Sequence, residues 1–317
     1  MMNKRFLLCL VVLCVLAVAY LAIGSVNVFG SGDWKILRMI RLPRMLMVIA
    51  AGAALAMAGL AFQSLLRNPL ATPFTLGVSS GSALGAVIAI KSGLILAPGL
   101  PATALFSFAG ALIIVGVVYR LARVKGRFTT ATLLLSGVSL NFLCSGLILF
   151  LHYLSDFTES SQMIRWLMGG FLAITYIDLA LCLPVAAVFG LFLLVNGKAL
   201  NLISLGDEIA ITRGIDVISF QRRLFVLASL MTAVIISVTG PIGFVGLIVP
   251  HICRLLFGAN HARLLPAVAL LGAAFLLAAD LLARVIISPA QIPVGVLTAI
   301  LGGPFFLFIL RRTKGGD

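Results

Sequence analysis

RNPLATPFTLGVSSGSALGA, residues 67–86, interrupts an apolar chain with two prolines, three glycines and a cluster of hydroxyls. Asn68-Pro69 and Thr72-Pro73 forbid a regular helix, because proline lacks the N–H and pushes its predecessor out of the helical region. Immediately after them Gly77, Gly81 and Gly85 recur every four residues with Ser79, Ser80 and Ser82 beside them. That spacing puts the glycines on one helical face, where a neighbouring backbone can approach closely and hydroxyls can bond across. The stretch therefore reads as a bent loop feeding a tightly packed helix. Inside a membrane such a break is tolerated only where it faces protein or a water-filled path.

The surrounding composition makes the membrane the solvent. Of 317 residues, 62% are hydrophobic and only 10% are charged, with a mean hydropathy of +1.22. No soluble domain of this size buries so large an apolar fraction. Apolar runs long enough to cross about 30 Å of hydrocarbon fall near 6–28, 45–64, 74–91, 102–121, 129–153, 171–195, 221–239, 243–257, 264–286 and 293–310. The reading is an all-α, polytopic membrane protein with ten transmembrane helices, a single domain over 1–317, and both termini on one side.

Charge sets the orientation. With the N-terminus cytoplasmic, sixteen of the twenty-three basic residues lie in inside segments, as the positive-inside rule requires. The formal charge of +14 then meets anionic lipid and cytoplasmic partners, and nucleic acid is not expected. The first run carries a Lys-Arg n-region and an Ala-x-Ala at Ala17–Ala19 like a signal peptide, but its apolar stretch is long enough to span, so a retained helix is expected. The five cysteines all fall in expected spans without C-x-x-C spacing and read as small buried residues rather than metal ligands.

Three classes of function compete. An ion-coupled carrier keeps carboxylates at mid-membrane; here eight of the nine acids lie in loops or near helix ends, and the ninth, Asp280, is four residues before Arg284, where the two can pair on one helical face. An intramembrane hydrolase would use the G-x-S-x-G at Gly77–Gly81, but that elbow needs a preceding strand and a histidine with an acid, and the surroundings are helical. An energised permease needs a handle for its motor. The longest inside loop, 196–223, offers one: Ser204 as a cap, Asp207 and Glu208 in a first turn, then Ile209–Ile211 and a stop at Gly214. This reads as a short helix outside the bilayer, about 204–216. No G-x-x-x-x-G-K-[ST] occurs, so the chain does not itself cradle ATP phosphates in that way.

The chain resembles a FecCD-family permease, the membrane subunit of type II ABC importers for iron-siderophore complexes, haem and cobalamin. The resemblance runs through residues 40–86, LLLSGVSLN (133–141), RWLMGG (165–170), SLGDEIAITRGI (204–215), GPIGFVGLIVPHICRLLFG (240–258) and the segment 279–310. It implies a dimeric permease, formed with a second identical or paralogous subunit, with two cytoplasmic ATPase subunits that bind ATP and Mg. It also implies a periplasmic substrate-binding protein, a place in the bacterial inner membrane, and no cofactor in this chain. By resemblance Leu205, Gly206, Asp207, Glu208, Ile209 and Gly214 form the coupling helix seated in the ATPase. Asn68 and Leu70, faced by Thr129 and Thr130, close the cytoplasmic end of the pathway. The family's docking arginines correspond to Arg41, Arg44 and Arg284.

Those arginines belong to an outer set of seven basic residues, with Lys35, Arg38, Lys91 and Arg165. Four recur every third residue in DWKILRMIRLPR, which is expected to hold them near one side of a helical segment; contact with lipid headgroups is the competing reading. The opening stretch resembles siderophore permeases most, so a ferric siderophore is the expected cargo, with haem or cobalamin as the alternative.

Overall fold

The computed structural model describes residues 2–23, 34–94, 102–124, 127–128, 130–287 and 290–314. Residues 24–28 of the first expected span, and Thr129, lie outside them. Within this range the protein is a helical bundle: α1 Met2–Ala22, α2 Leu42–Leu66, α3 Val78–Ser92, α4 Ala102–Ala122, α5 Thr130–Tyr153, α6 Phe157–Leu167, α7 Tyr176–Val195, α8 Gly197–Leu205, α9 Asp207–Thr212, α10 Val217–Thr239, α11 Val245–Phe257, α12 His261–Val285 and α13 Val294–Lys314. The only strands among the described residues form a two-residue ladder, Arg123–Val124 against Arg127–Phe128, between α4 and α5. Seven helices are long and apolar enough to span a membrane, and α3, α11 and Val294–Leu307 of α13 are shorter apolar helices. Together they account for each expected span.

Helix α2 is the axis of the bundle. It is apolar on every side, as a helix buried all round must be, and it packs on α12, α11, α10 and α7. Small residues permit the closest crossings. A Cβ added at Gly52 would strike the backbone of Gly272 in α12, and one at Gly59 the backbone of Gly246 in α11. By contrast α1, α5 and α7 expose large apolar side chains such as Val18, Leu135, Phe142 and Leu191, surfaces suited to lipid or to another membrane subunit.

The opening stretch does break the chain. Helix α2 stops at Arg67, which adopts φ 48° and donates its backbone N–H to the Gln63 carbonyl. Helix α3 begins only at Val78, four residues later than the apolar pattern suggests, because Gly77 turns left-handed at φ 82°. At 15 residues, α3 is about 22 Å long, short of the hydrocarbon thickness, and the non-helical 67–77 segment precedes it. Its backbone is satisfied from within: Asn141 Nδ2 of α5 donates to the Phe74 carbonyl (3.1 Å) and Thr75 Oγ to that of Thr72 (2.7 Å). Ala71, Thr72 and Leu76 are buried. From Ala71 onward the break therefore faces protein, as a membrane requires, whereas Arg67, Pro69 and Leu70 are exposed.

The glycine face is a helix contact. A Cβ at Gly81 would lie 2.5 Å from Ile114 Cγ1 and 2.7 Å from the Gly110 carbonyl oxygen of α4. Ser82 and Ser107 share a 2.5 Å hydrogen bond beside it, and Ser80 donates to Asn141 Oδ1 at 2.6 Å. A second break follows α10, where Gly240–Phe244 leads into the 13-residue α11 and Phe244 holds φ 67° with its ring against Gly302.

Helix α6 was not expected among the spans. Eleven residues are too few to cross a membrane, and its start is fixed by a capping box in which Asp156 accepts from the Glu159 N–H and Glu159 accepts from that of Asp156.

Candidate functional site

Two polar clusters stand at opposite ends of α2. At the C-terminal end, α2, the 67–77 segment, α5, α8, α9 and α12 converge. The expected single helix over 204–216 is in fact two: α8 ends at Leu205 and α9 starts at Asp207, with Gly206 at φ 143° between them. Ser204 is no N-cap; it lies in the last turn of α8 and bonds back to the Leu200 carbonyl at 2.7 Å. The sequence conceals this joint because Lys198–Ser204 continues the helix upstream of the expected start. Gly214, at φ 80°, ends the unit as anticipated.

Helix α9 offers its surroundings both an apolar and an acidic face. Leu205 (68%), Ile209 (45%) and Ile211 (54%) are exposed, while Ala210 is fully buried and anchors the helix. Glu208 is exposed. Asp207 is half-exposed, accepting from Gln221 Nε2 of α10 at 3.1 Å and forming an ion pair with Arg67.

The loop residues singled out in the sequence meet here. Asn68 Oδ1 accepts the Leu70 N–H at 2.9 Å, and the Asn68 carbonyl accepts that of Ala71 at 3.1 Å, so the turn is locally fixed. Leu70 projects outward, 41% exposed. Thr130, the first residue of α5, brings its hydroxyl to 3.4 Å from the Leu66 carbonyl, which sets the start of α5 against the end of α2. Thr129 lies outside the described residues.

Beside them is a group that sequence reasoning missed. His261 Nε2 meets Ser64 Oγ at 2.7 Å, and Asn201 Oδ1 takes both the His261 backbone N–H and the Nδ1 side, each at 2.8 Å. One buried imidazole thus ties α2, α8 and α12. Arg254 of α11 donates to Gln63, and Arg67 Nε donates to the Ile203 carbonyl at 2.9 Å. The signals were present only as single polar residues near helix ends.

At the N-terminal end of α2 the arginines behave differently from expectation. Lys35 and Arg38 are exposed, but Arg41 and Arg44 are buried. A three-residue step falls about 60° short of an α-turn, so four such residues fan over about half a circle. Residues Leu37–Arg41 also form a wider π-helical turn, which enlarges the drift. The four cations therefore do not share a side. Arg41 donates to the Leu21 carbonyl at 2.6 Å. Arg44 clasps Asp280 with Nε (3.0 Å) and Nη2 (2.8 Å) and donates to Gln291 Oε1 (2.8 Å).

Asp280 is 1% exposed and also accepts from the Tyr20 hydroxyl at 2.5 Å. Its expected partner Arg284 is near, 3.8 Å away, with its guanidinium 3.7 Å above the Tyr20 ring. The cluster thus joins α1, α2 and α12, and Arg44 and Arg284 point inward rather than forming an exposed patch. A cavity of about 820 Å³ opens elsewhere, lined mostly by apolar groups with Arg165, Asp178 and Thr239. Asp178 is already engaged as the capping partner of Thr175 at the start of α7. Among the described residues no group of three His, Cys, Asp or Glu side chains could hold a metal ion, and the five cysteines are free.

Seven helices of membrane-spanning length, two broken helical segments and a buried carboxylate neutralised by arginine define a multi-pass membrane protein. The chain belongs to the FecCD transport family, whose model matches residues 5–312, and so is a permease subunit of an ABC importer. It is 40% identical over 288 residues to the hemin transport system permease of Yersinia pestis, covering 89% of this chain and 84% of that one. It is 38% identical over 318 residues to the vitamin B12 import system permease of Escherichia coli O9:H4, covering 98% and 96%. A solved structure described as an inward-facing metal-chelate-type ABC transporter superposes with a TM-score of 0.89 at 32% identity, over 98% of this chain and all of that one.

Proposed function

We propose that this chain passes a bulky metal chelate from a periplasmic binding protein to the cytoplasm, driven by two ATPase subunits seated on α9. The cargo class comprises ferric siderophore, haem and cobalamin. The names of the relatives support the tetrapyrroles at least as well as the siderophore that the sequence favoured. ATP and Mg belong to the ATPase partners. A second copy or a paralogue completes the pathway, supported by the outward Leu135, Phe142 and Leu149 of α5, and lipid covers the remaining apolar exterior.

The observation that carries the ATPase dock is α9 itself. Ile209 and Ile211 stand exposed on α9, with Leu205 exposed just before it at the end of α8, and the helix is anchored by buried Ala210 and by the hydrogen bond from Gln221 of α10 to Asp207. The residues assigned to the dock are Leu205, Gly206, Asp207, Glu208, Ile209 and Gly214. Asn68, Leu70, Thr129 and Thr130 narrow the same end of the path. Arg5, Lys198, Arg213 and Arg263 cluster toward that end in the sequence order of the helices, which supports cytoplasmic termini in a bacterial inner membrane.

The binding protein docks at the opposite end, near the 34–41 lead-in that exposes Lys35 and Arg38. Arg41, Arg44 and Arg284 act there from beneath, holding the lead-in and α12 to one another through Asp280 and the carbonyls of α1. Leu205→Asp combined with Ile209→Asp tests the ATPase dock. The variant is expected to fold and to lose co-purification with the ATPase; normal co-purification and transport would overturn the assignment.

A further inference from the structure

We infer that Arg67 is the strut that carries movement of the α8–α9 joint to the Asn68–Leu70 turn, a positioning role that rests on the permease reading above. Arg67 is one of two non-glycine residues at positive φ among those described, the other being Phe244. A left-handed arginine is strained where glycine would be comfortable, so a C-cap alone does not explain this residue. Its side chain does. Nε donates to the Ile203 carbonyl in the last turn of α8, and Nη2 pairs with Asp207, the first residue of α9. One planar guanidinium therefore grips both sides of Gly206, the joint between the two helices.

The backbone of the same residue leads directly into the turn. Both Arg67 and Asn68 donate their N–H groups to the Gln63 carbonyl, and Asn68 Oδ1 fixes Leu70. Behind the joint, Ser64 is held by His261, which is itself held by Asn201 of α8. Displacement of α9 thus has a route to Leu70 through a chain of directional contacts, from Asp207 to the Arg67 guanidinium and along the backbone of Arg67 and Asn68. Lysine reproduces the charge but lacks the fork that serves two acceptors at once.

The test uses the assembled complex in proteoliposomes, with ATPase, binding protein and whichever of hemin, cobalamin and a ferric hydroxamate the wild type takes up. Arg67→Gly is the informative variant because glycine accepts the left-handed backbone and keeps the helix stop while deleting the strut. It is expected to retain ATPase association and hydrolysis within about twofold, yet to fall at least about tenfold in uptake per ATP hydrolysed. Arg67→Lys is expected to lie between. In a background without native cysteines, thiol modification of Leu70→Cys should respond to nucleotide in the otherwise wild-type chain and not with Arg67→Gly. Wild-type uptake per ATP in Arg67→Gly, or loss of ATPase association in it, would overturn the strut while leaving the permease reading intact. Absence of ATP-dependent uptake by the wild type would sink both.

Discussion

Replacing Asp280 by alanine is expected to cost more stability than replacing the arginine it binds most closely. The cluster holds two guanidinium groups and one carboxylate, all nearly excluded from solvent, with side chains of Arg44, Arg284 and Asp280 at 10%, 8% and 1% exposure. Removing Asp280 leaves two buried cations that face only neutral groups: Gln291 Oε1 for Arg44, and the Tyr20 carbonyl and ring for Arg284. Stripping one partner from a buried pair costs about 3–5 kcal/mol, and the stranded Tyr20 hydroxyl adds about 1–3 kcal/mol.

Arg44→Met instead leaves Asp280 with Arg284 as counter-ion and Tyr20 as donor. Its cost is that of lost charged hydrogen bonds, about 1.5–3 kcal/mol. Unfolding in mixed dodecyl maltoside and SDS micelles, followed by near-ultraviolet circular dichroism, measures the order. Asp280→Ala should unfold at a clearly lower SDS fraction than Arg44→Met, with Asp280→Asn between them. Because Tyr20 is fully buried near the C-terminal end of α1, where most other described side chains are exposed or half-buried, the same variant should free that end of α1 to proteolysis. Equal stability of Asp280→Ala and Arg44→Met would refute the charge argument.

Gly59→Ala should lower the unfolding midpoint strongly, because its methyl would meet unyielding Gly246 backbone, whereas Gly116→Ala on α4 has open space and should be near neutral. Comparable midpoints for the two alanine variants would remove the close-crossing explanation. The Lys91–Glu159 bridge ties α6 to α3 at 2.7 Å. The hydrogen bond from Lys91, then that from the Asp156 N–H, lowers the Glu159 pKa below its ordinary 4.5. The bridge's contribution is therefore full above that value and lost only as pH falls through the depressed one. Trp166 fluorescence in a Trp34→Phe background should be flat from neutral pH down to the ordinary carboxylate range and change below it. A transition near neutrality would contradict the assignment.

The membrane fold was legible because hydrocarbon imposes one dominant rule: apolar length. That rule located every span but not the internal joints. Helix α3 starts at Val78 rather than near 74 because Phe74–Gly77 is apolar enough to pass for helix while its backbone turns back on Asn141. Helix α6 escaped because its 11 residues carry a capping signal, D-x-x-E, that a search for spans does not weigh.

The coupling segment was visible as a short ordered unit, yet its division at Gly206 depends on backbone angles that Gly206 alone does not announce. The outer arginines show the limit most clearly. Spacing suggested one side, whereas a π-helical turn and burial of Asp280 divided them between solvent and core. Asp280 with Arg284 could be paired from an i,i+4 spacing, but Tyr20 and Arg44 arrive from α1 and α2, through tertiary packing that no local pattern encodes. Arg67 was counted only as one basic residue among sixteen, since its role depends on contacts more than 130 positions away.

The measurement that bears most directly on the account is uptake by proteoliposomes containing this permease, a matched ATPase and a chelate-loaded binding protein. The three arms are internal ATP without an ion gradient, an imposed proton or sodium gradient without ATP, and ATP without the binding protein. Chelate should accumulate in the first arm alone. Accumulation driven by the ion gradient in the second arm would contradict an ATP-driven permease.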